Sequence, residues 1–268
     1  MLTYARLPDM LPDLNAQGVT TEDDRVRGAL GEASRAMITG TGGRRFHSTV
    51  ETRVYDGDGL SRLWVGDLLS ITTLKFDDGT GTYEDTLAST DYYLWPSNAA
   101  GRTEPYRRID INPNGDYSGF PSGRERIQIV GKWGYSEIKN PVIGAAAVTA
   151  TVATTSGLTI TASESVEGIL YPGDTLFLED EEVGPVESVT TVSIVVAARG
   201  INGTTAATHS GVALYLRRYP ADIERAVRAD AARYLWRSSQ GYPEGGFREM
   251  WPAIASTMVS YQDPAAVV

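Results

Sequence analysis

Val50-Glu51-Thr52-Arg53-Val54-Tyr55-Asp56-Gly57-Asp58-Gly59 is the stretch at which the period of the chain changes. Val50, Thr52 and Val54 alternate with Glu51, Arg53 and Tyr55, the two-residue repeat of a strand, and Asp56-Gly57-Asp58-Gly59 then supplies a turn. The same grammar continues downstream. Leu63-Trp64-Val65 and Leu69-Ser70-Ile71-Thr72-Thr73-Leu74 read as strands, and Asp77-Asp78-Gly79-Thr80-Gly81 as a turn. Asp91-Tyr92-Tyr93-Leu94-Trp95-Pro96, Tyr106 to Ile111 and Arg126 to Trp133 complete the set. Short strands at this spacing, broken by Gly and Asp, predict a mainly antiparallel β unit over residues 46–141.

Upstream of this unit the period is helical. Thr20 or Thr21 can cap, and Glu22, Asp23 and Asp24 sit where the helix dipole favours acids. Val26, Ala29, Leu30, Ala33 and Met37 follow at helical spacing until Gly40-Thr41-Gly42-Gly43 stops the helix. Downstream, residues 142–217 are rich in Thr, Val, Ser and Gly. Leu158 to Thr161, Thr175 to Leu178, Val192 to Val196 and Val212 to Tyr215 read as strands, with turns at Tyr171-Pro172-Gly173-Asp174 and Ile201-Asn202-Gly203-Thr204. They predict a small β-barrel or sandwich inserted as a unit, its ends close together. Helix returns at Pro220 and Asp222, with Ile223, Ala226, Val227, Ala231, Tyr234 and Leu235 in one stripe. Gly241-Tyr242-Pro243 breaks it, and a last helix carries Ile254, Ala255, Met258 and Tyr261 before Asp263-Pro264 and an apolar tail. The expected fold is α+β: a small helical core made of residues 1–45 and 218–268, an antiparallel β unit (46–141) and an inserted small acidic β domain (142–217).

Composition sets limits on function. The chain has 268 residues, no cysteine and two histidines, His47 and His209. Disulfide frameworks, thiolate zinc sites and cysteine nucleophiles are excluded. No apolar run approaches the roughly 18 residues of a membrane-spanning helix, and residues 1–10 hold no apolar signal core, so the expectation is a soluble chain with no membrane partner. The net charge is −10, and it is uneven. Residues 1–45 and 218–268 are each neutral, 46–141 carry −4 and 142–217 carry −6. An acidic middle repels phosphate, which argues against gripping DNA but not against DNA passing by.

The short motifs read as structure. Gly40-x-Gly42-Gly43-Arg44-Arg45 follows a helix and precedes a strand, the reverse of a phosphate-binding loop. Asp56-Gly57-Asp58-Gly59 and Asp77-Asp78-Gly79 lack the further ligands of a calcium loop. Glu179-Asp180-Glu181-Glu182 reads as a solvated hairpin tip, with a weakly held hard cation as the alternative. Thr208-His209-Ser210-Gly211 lacks a nucleophile elbow and reads as a polar loop. Asn202-Gly203-Thr204 reads as a tight turn. Carboxylates are abundant, so a polysaccharide-cleaving pair is not excluded by count, though nothing marks one pair above another. No catalytic, metal or cofactor-binding residue is assigned. Tyr92, Tyr93, Trp95, Trp133 and Tyr135 read mostly as core; Trp236, Trp251 and Tyr261 read as core or contact surface.

The order of these pieces resembles the head-tail connector (adaptor, or head-completion) proteins of long-tailed bacteriophages. The resemblance is carried by the capped helix Thr21 to Ile38, Gly42-Gly43-Arg44-Arg45-Phe46, Glu51-Thr52-Arg53-Val54-Tyr55-Asp56-Gly57, Leu69 to Leu74, Asp91 to Pro96, Gly131-Lys132-Trp133-Gly134-Tyr135, and the helix Pro220 to Val227. In that family a helix of this type usually follows the Trp-Gly-Tyr stretch closely; here residues 142–217 intervene, a departure from the pattern. The stretch Ala198 to Ala206 resembles small β modules of phage structural proteins. The resemblance implies a helical connector core and a non-enzymatic ring, usually of twelve subunits, in the virion neck and assembled in the host cytoplasm. One side would meet the portal protein and the other the stopper or tail-completion protein, while DNA passes without sequence-specific binding. A heterologous ring needs two different complementary surfaces per subunit. The subunit-interface candidates are Arg53, Tyr55, Trp133, Tyr135 and Trp251, and the portal-docking candidates are Met258, Tyr261, Pro264, Val267 and Val268. The rival readings are a tail or baseplate structural protein with binding β modules, and a cell-wall polysaccharide hydrolase. Deleting residues 262–268 is expected to abolish portal binding and leave the fold intact, measured by co-sedimentation with portal; unchanged binding contradicts the docking assignment.

Overall fold

The computed structural model describes residues 3–16, 23–99 and 104–239. It is mostly β. The expected helical core with a β insert is not what forms: among the described residues, three α-helices accompany fourteen strands in two antiparallel sheets. By residue contacts the chain divides into two compact units. One comprises 1–44, 138–201 and 205–268; the other comprises 45–137 with Asn202–Thr204.

The second unit is a six-stranded sheet of β1 (Thr49–Gly57), β2 (Arg62–Asp77), β3 (Tyr83–Thr86), β4 (Tyr92–Trp95), β5 (Tyr106–Ile111) and β6 (Gly123–Trp133). Its order is β1-β6-β2-β5-β4, with β3 added on β2. β2 is long enough to pair with β5 through Arg62–Leu68 and with β6 through Leu68–Phe76. Alternation decides the buried face: Leu63, Leu68, Leu74, Phe76, Ile109, Ile111, Ile127, Ile129 and Trp133 form the core, and Leu87 and Phe120 complete it. The Gly131-Lys132-Trp133-Gly134-Tyr135 stretch owes its glycines to crowding. A Cβ at Gly131 would lie 2.3 Å from the Ser70 carbonyl oxygen. Gly134 has φ +135°, and a Cβ there would lie 2.1 Å from the His47 carbonyl oxygen. Both contacts are closer than any side chain allows.

In the first unit, β7 (Ile138–Pro141), β8 (Thr149–Val152), β9 (Thr159–Ala162), β10 (Leu176–Leu178), β11 (Glu181–Val183), β12 (Val186–Val189), β13 (Ser193–Val196) and β14 (His209–Arg218) form an eight-stranded sheet. Its path is β11-β10-β14-β8-β9-β13-β12, with β7 on β14. The sheet nearly closes on itself, because Val186 exchanges backbone hydrogen bonds with Asp174 and Gly173 at 2.8 Å each. Val148, Ile160, Leu176, Leu178, Val183, Ile194, Val196 and Leu214 fill its interior.

The helices share this unit. They are α1 (Leu7–Ala16), α2 (Asp23–Gly40) and α3 (Ala221–Ser239). α2 buries Val26, Ala29, Leu30, Ala33 and Met37, and α3 buries Ile223, Val227, Ala231, Ala232 and Leu235. The glycine run ends α2 as its sequence implies: Thr41 and Gly43 N–H groups bond back to the Met37 and Ile38 carbonyls at 3.0 and 2.8 Å. α1 has no counterpart in the sequence reading; Pro8 falls in its first turn, where proline is tolerated, but Pro12 lies inside it. Its buried Leu7, Met10 and Leu14 nevertheless fall on one face. A polar seam joins these elements to the sheet. Arg6 donates to both Asp174 carboxylate oxygens at 2.8 and 2.7 Å. Arg218 bridges Asp9 at 2.9 Å and Glu224 at 2.5 Å. Tyr4 packs edge-on to Tyr219. Residues 142–217 are thus built into the helical unit rather than appended to it, which is why the helical-core expectation fails. Among the described residues, no helix is long and apolar enough to cross a membrane.

Gly134→Ala is expected to destabilise the fold by about 2–3 kcal/mol, since it combines a left-handed φ with a backbone collision; urea titration measures this, and an unchanged midpoint contradicts it.

Candidate interaction surface

The sheet face opposite the core of the second unit carries an unusual row. Strand register sets Trp64 (β2) opposite Arg108 (β5), and Arg108 opposite Trp95 (β4). One step along, Arg62, Asp110 and Tyr93 form a second row. Leu63, Ile109 and Leu94 point to the core, so strand alternation turns all six of these residues outward. The Arg108 guanidinium lies 5.4 Å from the Trp64 ring centroid and 4.8 Å from that of Trp95. It also donates to Asp110 at 2.8 Å. The two indoles meet edge to face at 6.4 Å. Although Arg108 is largely covered, Trp64, Tyr93 and Trp95 remain 52%, 54% and 39% exposed. Single exposed apolar residues are ordinary; three contiguous exposed aromatics around an arginine have the composition of interface hot spots. The sequence reading placed Tyr93 and Trp95 mostly in the core and did not single out Trp64. The alternation of Trp64 with Leu63 and Val65, next to Arg62, was the available clue.

The candidates named from sequence fall into two groups. Arg53, Tyr55 and Trp133 are brought together: Arg53 lies 4.1 Å over the Trp133 ring, and Tyr55 packs against that ring at 6.1 Å. Burial is the main effect on the Tyr55 phenol and raises its pKa, against the opposing pull of Arg53. Trp133 is 1% exposed and its indole N–H donates to the Glu51 carbonyl at 3.0 Å, so it offers no surface of its own. Tyr135 packs against Phe46 at 5.6 Å. Trp251, Met258, Tyr261, Pro264, Val267 and Val268 lie outside the described residues.

The first unit corrects two local readings. Glu179-Asp180-Glu181-Glu182 is not wholly a solvated tip. Glu179 and Asp180 make the two-residue turn between β10 and β11, while Glu181 and Glu182 are buried on opposite faces. Glu181 receives Arg199 at 2.8 and 2.5 Å and the N–H groups of Gly200 and Ala207 at 3.1 and 3.0 Å. His209 is not in a polar loop: it begins β14, is buried, and its Nε2 lies 2.8 Å from the Glu181 carboxylate. Glu182 is paired with Arg217 at 2.5 Å, both side chains 1% exposed. Arg199 and Arg217 are the only basic residues in 142–217, so every exposed charge in that segment is negative: Glu167, Glu179, Asp180 and Glu187.

The described residues thus present an aromatic–arginine face on the second unit and, from residues 142–217, exposed charge of negative sign only. Among the described residues, no group of three or more histidine or carboxylate side chains converges to hold a metal ion. No protein-family model, no curated protein and no solved structure matches the chain.

Burial acts first on Glu181 and raises its pKa, but Arg199, the Ala207 N–H and His209 outweigh it and hold the carboxyl below its ordinary range. A native pKa below the unfolded one stabilises fully above the unfolded value, about 4.3, and the stabilisation is lost as pH falls through the native value. Glu181→Gln is therefore expected to cost about 3–5 kcal/mol at pH 7, with the gap to the parent narrowing as pH falls below the carboxylate range. Urea unfolding at a series of pH values measures both; a gap that is constant with pH contradicts the assignment.

Proposed function

We propose that the chain is a non-enzymatic structural adaptor of a bacteriophage neck. Copies form a ring, twelve in the usual case for the family it resembles, between the portal and the stopper or tail-completion protein. The ring retains the packaged genome and gives it passage on ejection. The observation that carries this reading is the presence of two unlike surfaces on one chain, an aromatic–arginine face and an acidic one, as head-to-tail closure requires. The ordered resemblance from Thr21 to Val227 supports it. So does the charge: a −10 subunit with an acidic exterior gives passing phosphates little to hold. In this reading the segment from Met258 to Val268 grips the portal, and no cofactor is used.

The predominance of β structure favours a second reading, a tail or baseplate structural protein whose β modules bind neighbouring components. Gold labelling of an epitope-tagged copy in intact particles separates the two. Label at the collar between capsid and tail is expected. Label at the tail tip transfers the chain to the second reading, and absence of the chain from purified particles contradicts both.

A further inference from the structure

The two unlike surfaces have complementary chemistry. The outward face of β2, β5 and β4 exposes two indoles and a phenol. Its charges are Arg62, 67% exposed at the side chain, and Arg108, against the single carboxylate of Asp110. Arg62 Nε stands 3.9 Å from Asp110 Oδ1 and makes no tight pair there. Excess positive charge bordered by exposed aromatics suits an acidic, narrow element that can lie across the rings beside Arg62. This same chain exposes one. The β10–β11 turn is two residues long and consists of Glu179 and Asp180. Their side chains are 66% and 97% exposed. The groups facing the turn are Lys139, whose ammonium reaches Asp180 at 3.3 Å, and the His209 ring, whose Nδ1 lies 3.6 Å from Glu179. Each therefore approaches a carboxylate from one side and leaves the turn's outer surface acidic. The turn is also anchored: Glu181 and Glu182, directly behind it, are locked by Arg199 and Arg217. It is presented as a rigid projection, which lowers the ordering cost of docking.

We infer that the Trp64–Arg108–Trp95 face of one copy receives the Glu179–Asp180 turn of the next copy. The occupant is a second copy of this chain because its exposed charge in 142–217 is all negative and matches the excess arginine on the face. The contact is heterologous, so it propagates from subunit to subunit and closes a ring when the rotation permits. This inference rests on the ring-adaptor reading and names the surfaces that make the ring. Trp64 and Trp95 supply the area that excludes water, and Arg62 supplies the charge that fixes register.

The absence of cysteine gives the test a silent background. Arg62→Cys and Asp180→Cys are made singly and together in the full chain and treated with a short bis-maleimide, and products are resolved by denaturing electrophoresis. A ladder of multimers from the double variant, with none from either single variant, is expected. Dimers from Arg62→Cys alone would mean that two aromatic faces meet each other and would overturn the inference, as would a double variant that stays monomeric. In sedimentation velocity, Trp64→Ala should weaken self-association about 30-fold, the loss typical of a central tryptophan. Arg62→Glu and Asp180→Arg should each weaken it and together restore it. Loss from Trp64→Ala with no effect of Asp180→Arg would assign the face to another partner and overturn the inference. Gold at the collar with no ladder rejects this contact alone. A ladder with gold elsewhere rejects the neck while leaving the contact standing.

Discussion

Two adjacent carboxylates, Glu181 and Glu182, are buried on opposite sides of β11, and each is neutralised by an arginine that is itself buried. The first unit depends on this constraint. An ionised carboxylate in an apolar interior is tolerated only when paired and hydrogen-bonded, and Glu181 meets that condition with Arg199, two backbone N–H groups and His209. The same contacts fix the course of the chain from Arg199 to His209, where β14 begins. β14 then pairs with β10, β8 and β7 and leads into α3, so the nearly closed sheet and the helices share one spine. The second consequence lies at the surface. With both arginines of residues 142–217 consumed inside, that segment shows solvent only negative charge.

The six-stranded sheet obeys a simpler rule. Alternation sends Leu63, Ile109 and Leu94 inward and Trp64, Arg108 and Trp95 outward. Cross-strand register then lines the outward residues into a row, which no single strand encodes. In the proposed ring, this aromatic–arginine row and the acidic turn of residues 179–180 are the surfaces that would make association directional.

Much of the β architecture was legible. Period-two runs and Asp/Gly turns mark β1, β2, β4, β5 and β6, because a half-buried strand must alternate. The strands β9, β10 and β13 were equally plain in their β-branched residues. What the pattern could not carry was assembly. Leu7, Met10 and Leu14 hold the right spacing for α1 and Pro8 suits its first turn, yet Pro12 lies inside it and opposes helix locally, an opposition that packing of the buried face outweighs. Residues 142–217 look separable by composition, but Arg6, at the start of the helical segment, pairs with Asp174 and donates to the Ile169 carbonyl across more than 160 residues of sequence. Glu181 and Glu182 were misread with Glu179 and Asp180 because a run of acids normally faces water; burial is possible only with Arg199 and Arg217, whose proximity is a tertiary fact. Tyr93 and Trp95 were misread as core for a related reason: size predicts burial, but position along β4 decides it.

Directional association through opposite charge has a direct signature in solution. Exposed ion pairs weaken as salt shortens the screening length from about 10 Å at 0.1 M to about 3 Å at 1 M. Sedimentation velocity of the full-length chain across that range is the most direct measurement. The account predicts that self-association falls steadily as ionic strength rises. Association that is unchanged or strengthened by salt would show that apolar contact alone holds the copies together, and would contradict it.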